Sequence, residues 1–92
     1  MSQLFHIDAE PALASGDLLK ALDRQGIVGT LTATARPAND EAARLTLRVE
    51  RAIADLAARI QRALEDAIDL RDLPLMTEQV GHDRFVVRPP AG

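Results

Sequence analysis

Ala43-Arg44-Leu45-Thr46-Leu47-Arg48-Val49-Glu50 alternates apolar and polar residues without a break. Successive side chains of an extended chain point to opposite faces, so Leu45, Leu47 and Val49 share one face while Arg44, Thr46, Arg48 and Glu50 share the other. The stretch reads as a half-buried strand, and its surroundings carry the same signature. Upstream, Ile27–Arg36 puts Ile27, Gly29, Leu31, Ala33 and Ala35 in one row and Val28, Thr30, Thr32, Thr34 and Arg36 in the other. Its β-branched threonines suit a pleat. Pro37-Ala38-Asn39-Asp40-Glu41 between them is a run of turn formers, so the two segments read as consecutive antiparallel strands. Near the start, Leu4–Glu10 alternates Phe5, Ile7 and Ala9 with His6, Asp8 and Glu10 until Pro11 ends it.

Helical spacing fills the gaps. Gly16–Gln25 places Leu18, Leu19 and Leu22 on one side, with Ser15 positioned to cap the start and Gly26 to end it in a left-handed conformation. Arg51–Ile68 sets Ile53, Leu56, Ala57, Ile60, Leu64 and Ala67 on a second apolar stripe. Asp55, Arg59, Arg62 and Asp66 stay outside it, and Asp55 and Arg59 are spaced as an ion pair. Arg51 at its start and Glu65, Asp66 and Asp69 at its end oppose the helix dipole, so tertiary packing must hold this helix. Leu70–Met76 supplies a fourth strand, which Pro74 confines to a sheet edge. Gly81-His82-Asp83 reads as a turn, and Arg84–Arg88 as a short extra strand ahead of Pro89-Pro90-Ala91-Gly92.

The order strand, helix, strand, strand, helix, strand resolves most simply as two interleaved βαβ units. The expected fold is α+β: a ferredoxin-like βαββαβ two-layer sandwich with a four-stranded antiparallel sheet of order 4-1-3-2. Both helices cover one face, and the polar rows form an open second face. Residues 1–76 make this domain and residues 77–92 a C-terminal extension. The second strand then lies at an edge, yet Ile27–Ala35 contains neither charge nor proline, the usual protections against foreign pairing. A homodimer through that edge is the expectation.

Composition bounds the function. Ninety-two residues make one domain. The apolar 47% is mostly aliphatic, with Phe5 and Phe85 the two aromatic residues. A net charge of −3 and the missing aromatics on the polar strand rows argue against nucleic acid. No apolar run approaches the ~18 residues of a membrane span, and the chain is read as cytoplasmic. No cysteine is present for disulfides or thiolate metal sites. The serines are Ser2 and Ser15, neither with an implied base beside it. His6 and Asp8 share a strand face and, with His82, have the right chemistry for a metal, but no closed spacing fixes a site. Arg36, Arg44 and Arg48, on the polar rows of strands two and three, could attract a carboxylate or phosphate, and read as solvated. No catalytic residue, metal ligand or cofactor is assigned.

Three passages carry a resemblance. Leu18-Leu19-Lys20-Ala21-Leu22-Asp23-Arg24-Gln25-Gly26-Ile27 resembles the first helix and exit of ACT domains, closest to the small regulatory subunits of acetolactate synthase. Val28–Val49 is similar in length and strand-turn-strand pattern. Asp66-Ala67-Ile68-Asp69-Leu70 with Leu73 resembles that family's second helix exit. Ala14-Ser15-Gly16 stands where effector-sensing members carry an Asn/His-Pro-Gly form, and residues 77–92 have no counterpart. The resemblance implies a non-catalytic subunit that dimerises edge to edge and activates a thiamine-diphosphate-dependent catalytic subunit in branched-chain amino-acid biosynthesis. It also implies a branched-chain amino-acid site at Ser15, Gly16, Asp17 and Leu18, beside Val28 and Gly29 of the partner-facing strand. The alternatives are a free-standing amino-acid sensor and an interaction module that binds no small molecule.

Overall fold

β1 (Gln3–Ala9) is the middle strand of a five-stranded sheet, and its alternate residues Phe5, Ile7 and Ala9 are buried under two helices. The computed structural model describes residues 3–9, 13–34, 43–51 and 53–90. After β1 come α1 (Ser15–Arg24), β2 (Gly29–Thr34), β3 (Ala43–Val49), α2 (Leu56–Leu70), β4 (Met76–Gly81) and β5 (Arg84–Arg88). The sheet order is β2-β3-β1-β5-β4. β3 pairs antiparallel with both β1 and β2, β4 pairs antiparallel with β5, and β5 runs parallel to β1.

The core forms where the helix stripes meet the apolar strand rows. Leu18, Ala21 and Leu22 of α1 and Leu56, Ile60, Ala63, Leu64, Ala67 and Ile68 of α2 pack over Leu45, Leu47, Val49, Phe85 and Val87. The rings of Phe5 and Phe85 lie 6.3 Å apart on adjacent strands. Both helices end in the same motif. Ile27 N–H donates to Leu22 C=O and Gly26 N–H to Asp23 C=O, with Gly26 at φ 75°. Leu73 N–H donates to Ile68 C=O and Asp72 N–H to Asp69 C=O, with Asp72 at φ 51°. These are paired Schellman exits, each with an apolar residue after the left-handed one.

The α+β class and the open polar face stand, while the four-strand antiparallel order 4-1-3-2 is replaced by a mixed five-strand order. The reason lies in the strand rows. A strand between two others needs an apolar row under the helices, and β5 has Phe85 and Val87 there. β4 faces the same side with Thr77 and Gln79, the register partners of Val87 and Phe85. The apolar strand therefore takes the inner position and the polar one the edge. The stretch from Thr77, read as an extension, supplies most of β4, all of β5 and two core residues.

The fourth strand is also misplaced by the sequence reading. Leu70 is the last residue of α2, and Leu73 and Leu75, the alternating apolar residues beyond it, pack half-buried against the core from the helix exit. α2 begins at Leu56 and not at Arg51, because Asp55 takes a left-handed conformation (φ 57°). Ser15 does not cap α1: Ala14 is the N-cap, and no side-chain bond closes that end. The Asp55–Arg59 ion pair is absent among the described residues. Arg59 instead reaches α1 and donates to the Gln25 carbonyl at 2.8 Å, satisfying an acceptor at a helix C-terminus. The turn read at 37–41 lies outside the described residues.

Candidate functional site at the β2 edge

Glu50 N–H donates to Val28 C=O at 3.0 Å, which sets the phase of the β2–β3 ladder. In an antiparallel pair, alternate residues turn both main-chain groups toward the neighbour. With the register Thr30↔Arg48 and Thr32↔Thr46, the main-chain groups of Val28, Thr30 and Thr32 face β3. Those of Gly29, Leu31 and Ala33 face outward, and β2 ends the sheet. No charged side chain or proline interrupts Gly29–Thr34. Gly29 permits the close approach to β3: a Cβ there would stand 2.3 Å from the Arg48 carbonyl oxygen.

Beside this edge a cleft of about 200 Å³ is lined by Leu19, Leu22, Asp23, Ile27, Val28, Gly29 and Leu47. Leu22, Ile27 and Leu47 belong to the core and form its floor, while Leu19 and Val28 remain 42% and 64% exposed. The volume falls below the roughly 300–1,000 Å³ of typical small-molecule pockets. An apolar dimple against the open edge of a strand is better suited to a side chain of another protein.

Of the residues expected at an effector site, Val28 and Gly29 line this cleft. Ser15 and Gly16 are exposed at the N-terminal end of α1 and do not line it. Leu18 is fully buried in the core. Nothing lies within 4 Å of a Cβ built on Gly16, so the helix start is open to solvent. Asp17 is buried, and Arg71 donates from Nε and Nη2 to its two carboxylate oxygens. The hydrogen bond from Arg71 holds the Asp17 carboxyl below its ordinary value, against the opposing effect of burial. Arg71 is held charged in turn by the same bond.

The sequence reading had Leu19 and Leu22 on the helix stripe without placing them at the cleft, and missed Asp23, Ile27 and Leu47 there; the glycine-terminated helix leading straight into a strand was the available signal. Arg71 had none, since 54 positions separate it from Asp17. The metal candidates are not gathered. His6 accompanies Asp8 on the open face, but the Asp8 carboxylate accepts from Arg44 at 3.2 Å. Among the described residues, no three His, Asp or Glu side chains are grouped to hold a metal. Arg36 lies outside the described residues. No described helix is long and apolar enough to cross a membrane. No protein-family model, curated protein or solved structure matches the chain.

Proposed function

We propose that this chain is a non-catalytic interaction module that pairs with a second copy along β2 and acts by binding a larger partner. The uncovered, uncharged β2 edge beside the apolar cleft carries this reading. The outward main-chain groups of Gly29, Leu31 and Ala33 would complete a ladder with a second β2, and exposed Leu19 and Val28 would gain cover. The narrower form is a small-subunit role toward the thiamine-diphosphate-dependent catalytic subunit of acetolactate synthase. The helix-one passage and its glycine exit into β2 support that form, whereas the inserted β5 departs from the four-strand pattern that the resemblance implies.

Sedimentation equilibrium tests the pairing: a species of twice 10.0 kDa is expected, and a monomer at micromolar concentration would overturn it. Co-purification with the acetolactate synthase catalytic subunit of the same organism, followed by an assay of acetolactate formation, tests the narrower form. The expected result is a complex with a raised rate. A dimer that forms no complex and leaves the rate unchanged removes the acetolactate synthase role and leaves the pairing module.

A further inference from the structure

The sheet face turned away from the helices has a charge balance opposite to that of the chain. Its residues include Arg44, Arg48, Arg84 and Arg88 against three carboxylates, Asp8, Glu78 and, just past the end of β3, Glu50. Arg44 pairs with Asp8 at 3.2 Å and Arg88 with Glu78 at 2.9 Å. Arg48 and Arg84 form no ion pair among the described residues. They flank β1, opposite Leu4 and His6 respectively. The whole chain nevertheless carries −3, and the helix side exposes Asp23, Glu65, Asp66, Asp69 and Asp72. Apolar surface lies among these arginines: Leu4 is 48% and Met76 43% exposed, and Val86 is half-buried. Arginine beside exposed apolar side chains is the composition of a protein-binding surface.

We propose that this open face docks an acidic segment of a partner protein, with Leu4, Val86 and Met76 as apolar contacts and Arg48 and Arg84 as charge contacts. Charge complementarity selects the occupant. A second copy laid face to face would set arginines against arginines. A single-stranded nucleic acid would need aromatic platforms, and both phenylalanines are buried on the other side of the sheet. The proposal is independent of the β2 edge, because the two surfaces share no outward group.

The test is fluorescence anisotropy with a labelled peptide in which glutamate alternates with leucine. A lysine–leucine peptide and an oligothymidylate serve as competitors for the alternative chemistries. The glutamate peptide is expected to bind in low salt and to weaken roughly tenfold both in high salt and in the Arg48→Gln/Arg84→Gln variant. Arg24→Gln/Arg62→Gln, on the helix side, should leave binding unchanged, as should a monomeric β2-edge variant. Circular dichroism confirms that each variant is folded. Equal binding by the Arg48/Arg84 variant, tighter binding of the oligonucleotide or of the lysine peptide, or no binding of the glutamate peptide would overturn the proposal.

Discussion

The first crossover, from β1 through α1 to β2, passes one intervening strand; the second, from β3 through α2 to β4, passes two, because β5 lies between β1 and β4. The two crossovers finish at opposite edges of the sheet, and those edges differ in chemistry. β4 carries Glu78 bound to Arg88 and is broken by a bulge between Gln79 and Gly81. β2 pairs with β3 in unbroken register and carries no charge. Charges and bulges are the devices that stop an edge from recruiting another strand. One edge is closed to pairing and the other is open, in a chain whose two halves otherwise repeat the same plan.

The largest effect is expected where β2 joins the sheet. Gly29→Val would drive a side chain into the Arg48 backbone carbonyl, with no flexible group to yield. Unfolding in urea should show a loss of about 3 kcal/mol. Native stability in this variant would mean that β2 can detach from β3 at little cost, and the two edges would then differ less than their sequences suggest.

A pair of neighbouring prolines sharpens the comparison. The Thr32 N–H faces β3, so Thr32→Pro removes a ladder donor and should cost the fold about 1–3 kcal/mol. The Ala33 N–H faces outward, so Ala33→Pro should leave the monomer folded while raising the dimer dissociation constant about tenfold or more, the loss of one bond per protomer. Denaturation and sedimentation together read the two effects. Equal dimerisation by Ala33→Pro and the unmodified chain would show that copies do not meet at β2.

The difference between the edges also explains what could be read from the residues alone. β3, β5 and the first helix were legible to within a residue or two, because each alternates or repeats over a fully buried stripe. β4 was not. Its Met76-Thr77-Glu78-Gln79-Val80-Gly81 buries no residue fully, and so has no period to detect. The preceding Leu73 and Leu75 offered a false one, being apolar for the sake of the α2 exit. Without β4 in place, nothing indicated that β5 would pair beside β1. The left-handed Asp55 was equally silent, since an aspartate does not announce positive φ as glycine does. At the candidate site, the strand pattern put Val28 and Gly29 on strand two, and only the family resemblance named them as site residues; both line the cleft. The Asp17–Arg71 pair was not legible, because it depends on where two helices meet.

That pair ties the start of the first crossover helix to the end of the second. With the folded pKa of Asp17 held below its unfolded value of 3.8, the ionised carboxylate stabilises the fold above that pH. The contribution is lost as pH falls through the folded value. Asp17→Asn should therefore unfold at lower denaturant than the unmodified chain near neutral pH, with the gap closing in acid. A gap that persists at a pH well below 3.8 would assign the effect to packing of the asparagine and not to charge.

The smallest expected effect tests the two helix exits, which make the same pair of hydrogen bonds around different residues. A left-handed φ costs an L-residue through its Cβ, and glycine avoids that cost. Gly26 therefore suits its position. A Cβ added there would meet only Arg59 Nη1, at an ordinary 3.7 Å, so Gly26→Ala should lose about 1 kcal/mol through backbone strain alone. Asp72 occupies the matching position at φ 51°, and Asp72→Gly relieves that strain while giving the unfolded chain more freedom to lose. Aspartate tolerates the left-handed region better than most residues, so the net gain should be about 0.5 kcal/mol, read as a slightly higher urea midpoint. The same substitution removes a negative charge from a helix C-terminus whose last turn contains no basic residue, which acts in the same direction. A destabilised Asp72→Gly would show that the aspartate side chain holds the α2 exit, and that the two crossovers end by different means despite their shared hydrogen bonds.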